Sequence, residues 1–168
     1  MKLLRLIVTI FCVLSTNTIV SQVNFKQKII GSWKVQEIHY QYMDTTYVAK
    51  DQDNGRFLFT KTHYALMYNP RMQLRKSFKI LSKPNNEEII NAFRNIVFNT
   101  GSYILKDSTI STTADIAKVP GFEGGKQFYN LKLEGDNLQL TMFDETYPNG
   151  EKPEWYEKLK IKFILIRE

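Results

Sequence analysis

Glu37 and His39 are the acid–base pair that this chain brings closest together with a shared orientation. They lie two residues apart in the alternating stretch Ser32 to Tyr42, and residues two apart on a strand point the same way. A carboxylate beside an imidazole could move a proton or orient a polar ligand group. Trp33, Val35, Glu37, His39 and Gln41 fall on one face. Lys34, Gln36, Ile38, Tyr40 and Tyr42 fall on the other. The apolar residues change side midway. Either a β-bulge sits near Glu37, or Glu37 and His39 point into an enclosed interior. The plainer alternative is a wet rim with no chemical task.

Other chemistry is sparse. The chain has two histidines and one cysteine. His63 sits in a short polar connection, Lys61-Thr62-His63, without a neighbouring ligand, so no metal site is expected. Asp144 and Glu145 are adjacent and on a strand would face oppositely, which is poor geometry for a carboxylate dyad. Gly124-Gly125 lacks the flanking pattern of a phosphate cradle. No catalytic residue and no cofactor motif emerges. Arg71, Arg75, Lys76, Lys79 and Lys83 follow one another with no acid between them. They form either a solvated loop or a positive rim for an anionic group such as a carboxylate or phosphate.

The N-terminus reads as a targeting segment. Lys2 and Arg5 precede a mostly apolar run, Leu3 to Leu14, which is too short to span a bilayer at about 20 residues. A polar stretch follows, suited to cleavage after Ser21. The expected organisation is a signal peptide over residues 1–21 and one domain over 22–168. The protein is then exported, periplasmic or secreted, without stable membrane insertion. Cys12 lies within the leader, so the remainder has no disulfide. The formal net charge of +6 falls to +4 without Lys2 and Arg5. That is a mildly basic surface, and no nucleic-acid recognition motif accompanies it. Nothing in the pattern specifies an oligomer.

With 168 residues, 43% hydrophobic and 13% aromatic, the chain can bury a core and favours strands. After the first strand, Asp51 to Gly55 is a turn. Arg56–Thr60 and Tyr64–Tyr68 follow as strands, and Asn69-Pro70 ends the second. A short strand is expected at Ser77–Leu81. Pro84 to Glu88 opens the one amphipathic helix, with Ile89, Phe93, Ile96 and Val97 at helical spacing and Asn99-Thr100-Gly101 closing it. The helix reads as a plug or lid, or as simple core packing. Strands Gly101–Lys106, Thr109–Ala114, Gln127–Glu134, Leu138–Phe143 and Leu159–Arg167 complete the set. The loop from Ala117 to Gly125, carrying Val119 and Phe122, could gate an open end.

Gly31-Ser32-Trp33 opens the first strand, and Arg167 shares a face with Leu159, Ile161, Phe163 and Leu165 on the last. In this pattern the chain resembles the lipocalin-like domains of the calycin group, and the absence of cysteine after the expected leader suits a bacterial secreted member. The resemblance implies an all-β fold: an antiparallel up-and-down β-barrel of about eight to nine strands with one inserted helix. It also implies a structural closure in which Arg167 packs over the Trp33 indole, and a small hydrophobic ligand, with or without an anionic group, in the lumen. The residues expected to line that lumen are Val35, His39, Phe57, Phe59, Tyr103, Tyr129, Leu140 and Phe163. Two other classes stay open. A calycin-type isomerase or hydrolase would use Glu37 and His39. A barrel filled by its own side chains would bind proteins or glycans on its surface.

Overall fold

The computed structural model describes residues 26–50, 55–71 and 75–168. The expected leader and Cys12 lie outside the described residues. Among the described residues, nine strands and one helix follow a helical turn at residues 26–29. They are β1 (Gly31–Tyr42), β2 (Thr45–Lys50), β3 (Gly55–Phe59), β4 (His63–Tyr68), α1 (Asn86–Arg94), β5 (Val97–Lys106), β6 (Thr109–Ala117), β7 (Lys126–Glu134), β8 (Asn137–Thr146) and β9 (Leu159–Arg167).

All strand pairings are antiparallel. β1 pairs with β3 through its first residues and with β9 along its length, so β1 and β3–β9 close an eight-stranded barrel. β2 is an additional strand. It folds back on the far half of β1, with Ile38 opposite Ala49, and continues the edge that β3 occupies lower down. The sequence pattern hid β2 because only Ala49 in it is buried, and a strand without a buried face shows no alternation.

The closed end carries tight turns. Asp107 and Gly135 both adopt positive φ, at 54° and 58°, as two-residue hairpin turns require. The opposite end carries the long connections, which run from β4 to β5, from β6 to β7 and from β8 to β9.

Three bulges set which residues face inward. Gln36 is the extra residue in β1, Asp115 in β6 and Phe143 in β8. Beyond each bulge the alternation is shifted by one residue. Gly101 sits opposite the second of these, where an added Cβ would lie 2.0 Å from the Thr113 carbonyl oxygen. Only glycine fits there.

α1 begins with a capping box. The Asn85 side chain accepts from the Glu88 N–H, and the Glu88 carboxylate accepts from the Asn85 N–H. The helix ends at Arg94, not at Asn99. Ile96 stands between the elements, and Val97 and Asn99 already pair with β4 opposite Tyr68 and Leu66. Long-range sheet pairing therefore overrides the apparent helical stripe. α1 buries none of its residues, and Ile89, Ile90 and Phe93 are each about half exposed. It is not a plug. The strand expected at Ser77–Leu81 is absent, and residues 79–83 form bends and turns instead. Among the described residues no helix is long and apolar enough to cross a membrane.

Candidate binding site

The floor of the barrel is built by β1, β9 and the helical turn before β1. The Arg167 guanidinium lies 4.2 Å from the Trp33 ring centroid. It donates to the Ile30 carbonyl at 3.1 Å and also to the Lys28 carbonyl. The indole N–H of Trp33 donates to the Ile29 carbonyl at 2.7 Å. Gly31, at φ 139°, lets this arginine approach, because a Cβ there would stand 2.9 Å from Arg167 Nη1. Glycine, tryptophan and arginine thus form one mutually dependent closure.

Above the floor the interior is filled by side chains. Phe57 packs on Phe163 at 4.9 Å between ring centroids, and Phe163 meets Tyr68 edge-on at 5.1 Å. Phe59 meets Tyr103 edge-on at 5.4 Å. Val35, Leu140 and Tyr129 complete this layer, all buried. Seven of the eight side chains expected in the lumen therefore face inward, but chiefly toward one another.

His39 does not face the lumen. The bulge at Gln36 turns Ile38 and Tyr40 inward, opposite Phe163 and Ile161, and turns Glu37 and His39 to the outer wall, opposite Ile164 and Lys162. His39 Nε2 and Glu37 Oε2 lie 2.6 Å apart. The hydrogen bond from His39 holds the Glu37 carboxyl below the usual carboxylate range. The pair is a surface contact. His63 is exposed, and its ring meets the Thr62 hydroxyl at 2.8 Å.

The upper lumen is polar, in a way the strand pattern only half revealed. The Tyr64 hydroxyl donates to Asn99 Oδ1 at 2.5 Å, and Asn99 Nδ2 donates to Gln127 Oε1 at 3.5 Å. The Tyr129 hydroxyl donates to the same Gln127 oxygen at 2.8 Å, and Gln127 Nε2 donates to Glu145 Oε2 at 2.7 Å. Every donor in this chain is aimed toward Glu145. The bulge at Phe143 creates this arrangement: Asp144 pairs outward with Lys152 at 2.6 Å, while Glu145 comes opposite Gln127 on the inner face. Tyr64 and Tyr68, or Gln127 and Tyr129, could have been linked by period-two spacing. Glu145 could not, since a bulge leaves no trace in alternation.

Burial pushes the tyrosine hydroxyls up: Tyr64 to about 12, and Tyr40, Tyr68 and Tyr129 upward as well. They are neutral donors. Burial also raises Glu145, and the neighbouring Asp144 charge adds to it, against the hydrogen bond from Gln127. Among the described residues Glu145 makes no ion pair. Tyr68 is 8% exposed, and its hydroxyl has no hydrogen-bond partner among them.

Around this cluster stand the half-buried Tyr40, Val97, Trp155 and Leu159, packed on the core from the open end. The Tyr40 hydroxyl donates to the Pro70 carbonyl at 2.6 Å, tying the β4–α1 connection to the rim. Phe122 and Tyr147 meet edge-on at 6.4 Å, joining two rim loops over a groove lined by Val119, Pro120 and Pro148. Within the basic run, Arg75 lines a separate groove with Arg56, Asn69 and Asn95. Among the described residues no group of three or more His, Cys, Asp or Glu is placed to hold a metal ion.

A family model described as a lipocalin-like domain matches residues 30–159. No curated protein matches. A lipocalin-like protein from Bacteroides uniformis is similar at 18% identity and TM-score 0.43, over 83% of this chain and 97% of that one. An uncharacterized protein from Bacteroides eggerthii is similar at 17% identity and TM-score 0.43, over 83% and 98%. With the family model spanning most of its length, the chain belongs to the lipocalin-like domain family.

Proposed function

We propose that the protein is an exported carrier that seats a small, mainly hydrophobic molecule in the upper lumen, above the filled layer. The barrel fold suggests ligand binding in general. The finer reading rests on one observation. The wall of the open end changes from packed aromatics to the half-buried Tyr40, Val97, Gln127, Glu145, Trp155 and Leu159, with the polar groups of Tyr64, Asn99, Tyr129 and Gln127 linked toward Glu145. Apolar walls with a few convergent polar groups are the usual make-up of a small-molecule site. Export rests on Lys2, Arg5 and the apolar run behind them, with cleavage after Ser21 and a periplasmic or secreted destination.

A second reading is favoured by the packed layer itself. If side chains occupy the upper lumen as fully as they occupy the middle, the barrel acts through its surface, as a protein- or glycan-binding module. Native mass spectrometry of protein purified from its own host, followed by solvent extraction, separates the two. A reproducible extra mass that extracts as a small apolar compound supports the carrier. A bare protein mass that persists after incubation with a lipid extract supports the surface module.

A further inference from the structure

Glu145 is the feature of the upper lumen that the chain itself leaves incomplete. It is drawn inward by the Phe143 bulge and accepts one hydrogen bond, from Gln127. No lysine, arginine or histidine among the described residues pairs with it. The charge nearest in effect is Asp144, which is of the same sign. A carboxylate taken out of water without a cation is costly unless something supplies the missing partner. The Tyr129 hydroxyl reaches Glu145 through the same Gln127 side chain, donating to Gln127 Oε1 at 2.8 Å. The donor chain also has a direction. Tyr64, Asn99, Tyr129 and Gln127 pass their donors toward Glu145, so a second acceptor arriving there would meet an acceptor.

We propose that the ligand's polar end is a protonated amine, with Glu145 as its counter-ion. A charge-assisted hydrogen bond to the carboxylate favours an ammonium group. This deepens the carrier reading and rests on it. It also replaces the anionic group that the basic run from Arg71 to Lys83 had suggested. Arg75 lines a separate groove with Arg56, and Arg56 is paired with Glu168 at 2.7 Å.

The test is a matched series, octylamine, octanol and octanoate, titrated at neutral pH into the full chain and into Glu145→Gln. Calorimetry gives the affinity, and Trp155 fluorescence reports the rim. Glu145→Gln keeps an acceptor for Gln127, so the fold is retained. The expected result is octylamine binding about tenfold tighter than octanoate in the parent, with that preference lost in the variant. Equal binding of all three, or an amine preference that survives Glu145→Gln, overturns the counter-ion role and leaves the carrier reading standing. Tighter octanoate binding overturns it too and points to the Arg75 groove. Failure of all three to bind overturns both readings.

Discussion

Glu145 and Glu37 carry opposite electrostatic signatures. Burial raises the Glu145 pKa, so folding makes this carboxyl easier to protonate than it is in the unfolded chain. The resulting stability is present below the unfolded value and is lost as pH rises through the folded one. Glu37 is lowered by its His39 hydrogen bond, so its contribution is present above the unfolded value and lost as pH falls through the folded one. Urea unfolding from about pH 8 to about pH 4 should therefore show Glu145→Gln more stable than the parent at the alkaline end, with the difference shrinking toward acid. A difference that does not vary with pH would place Glu145 in water. His39→Ala should change stability by less than about 1 kcal/mol, because exposed pairs contribute little, and chemical denaturation reads this directly. Both residues carry chemistry-capable side chains, and in each case a bulge rather than residue type decided whether that chemistry faces the lumen.

At the scale of elements, the closure of β1 on β9 depends on three side-chain positions. Trp33→Ala removes a fully buried ring and its contact with Arg167. It should cost about 3–5 kcal/mol, measured as a shift of the urea midpoint at constant slope. Stability equal to the parent would show that the floor does not hold the barrel together. Gly101→Ala forces a Cβ against the Thr113 carbonyl and should cost more than about 1 kcal/mol. Amide exchange should then rise first along β5 and β6, the two strands that meet at that bulge. α1 behaves differently. Its apolar residues are half exposed and none is buried, so Ile90→Ser should stay within about 0.5 kcal/mol of the parent. A loss of 2 kcal/mol or more would show that the helix packs as a lid.

At the scale of the whole molecule, the proposed carrier role links ligand to fold. A ligand that binds only the folded barrel adds about 2.7 kcal/mol at a hundred times its Kd. Thermal unfolding in the presence of the extracted compound should therefore move upward with its concentration. Cys12 is the one cysteine and lies in the expected leader, so a reducing agent should leave the unfolding midpoint unchanged. A fall on reduction would reveal an intermolecular disulfide.

Most of the architecture is legible along the chain. Period-two alternation marked eight of the nine strands to within a few residues, because half-buried strands must alternate. Gly31-Ser32-Trp33 and Arg167 carried the resemblance that implied closure of the last strand on the first, and β9 pairs with β1 there. Asp107-Ser108 and Gly135-Asp136 marked their hairpins through residues that tolerate positive φ. The remainder follows only from how the strands pack against one another. That packing placed β2, whose residues are nearly all exposed and so carry no alternation. It ended α1 at Arg94, because Val97 to Gly101 gain more from pairing with β4 than from extending an exposed helix. It also decided the faces beyond each bulge. Alternation counts residues along one strand, whereas a bulge is set by the register of two strands closed into a barrel. That register sent His39 outward and brought Glu145 in.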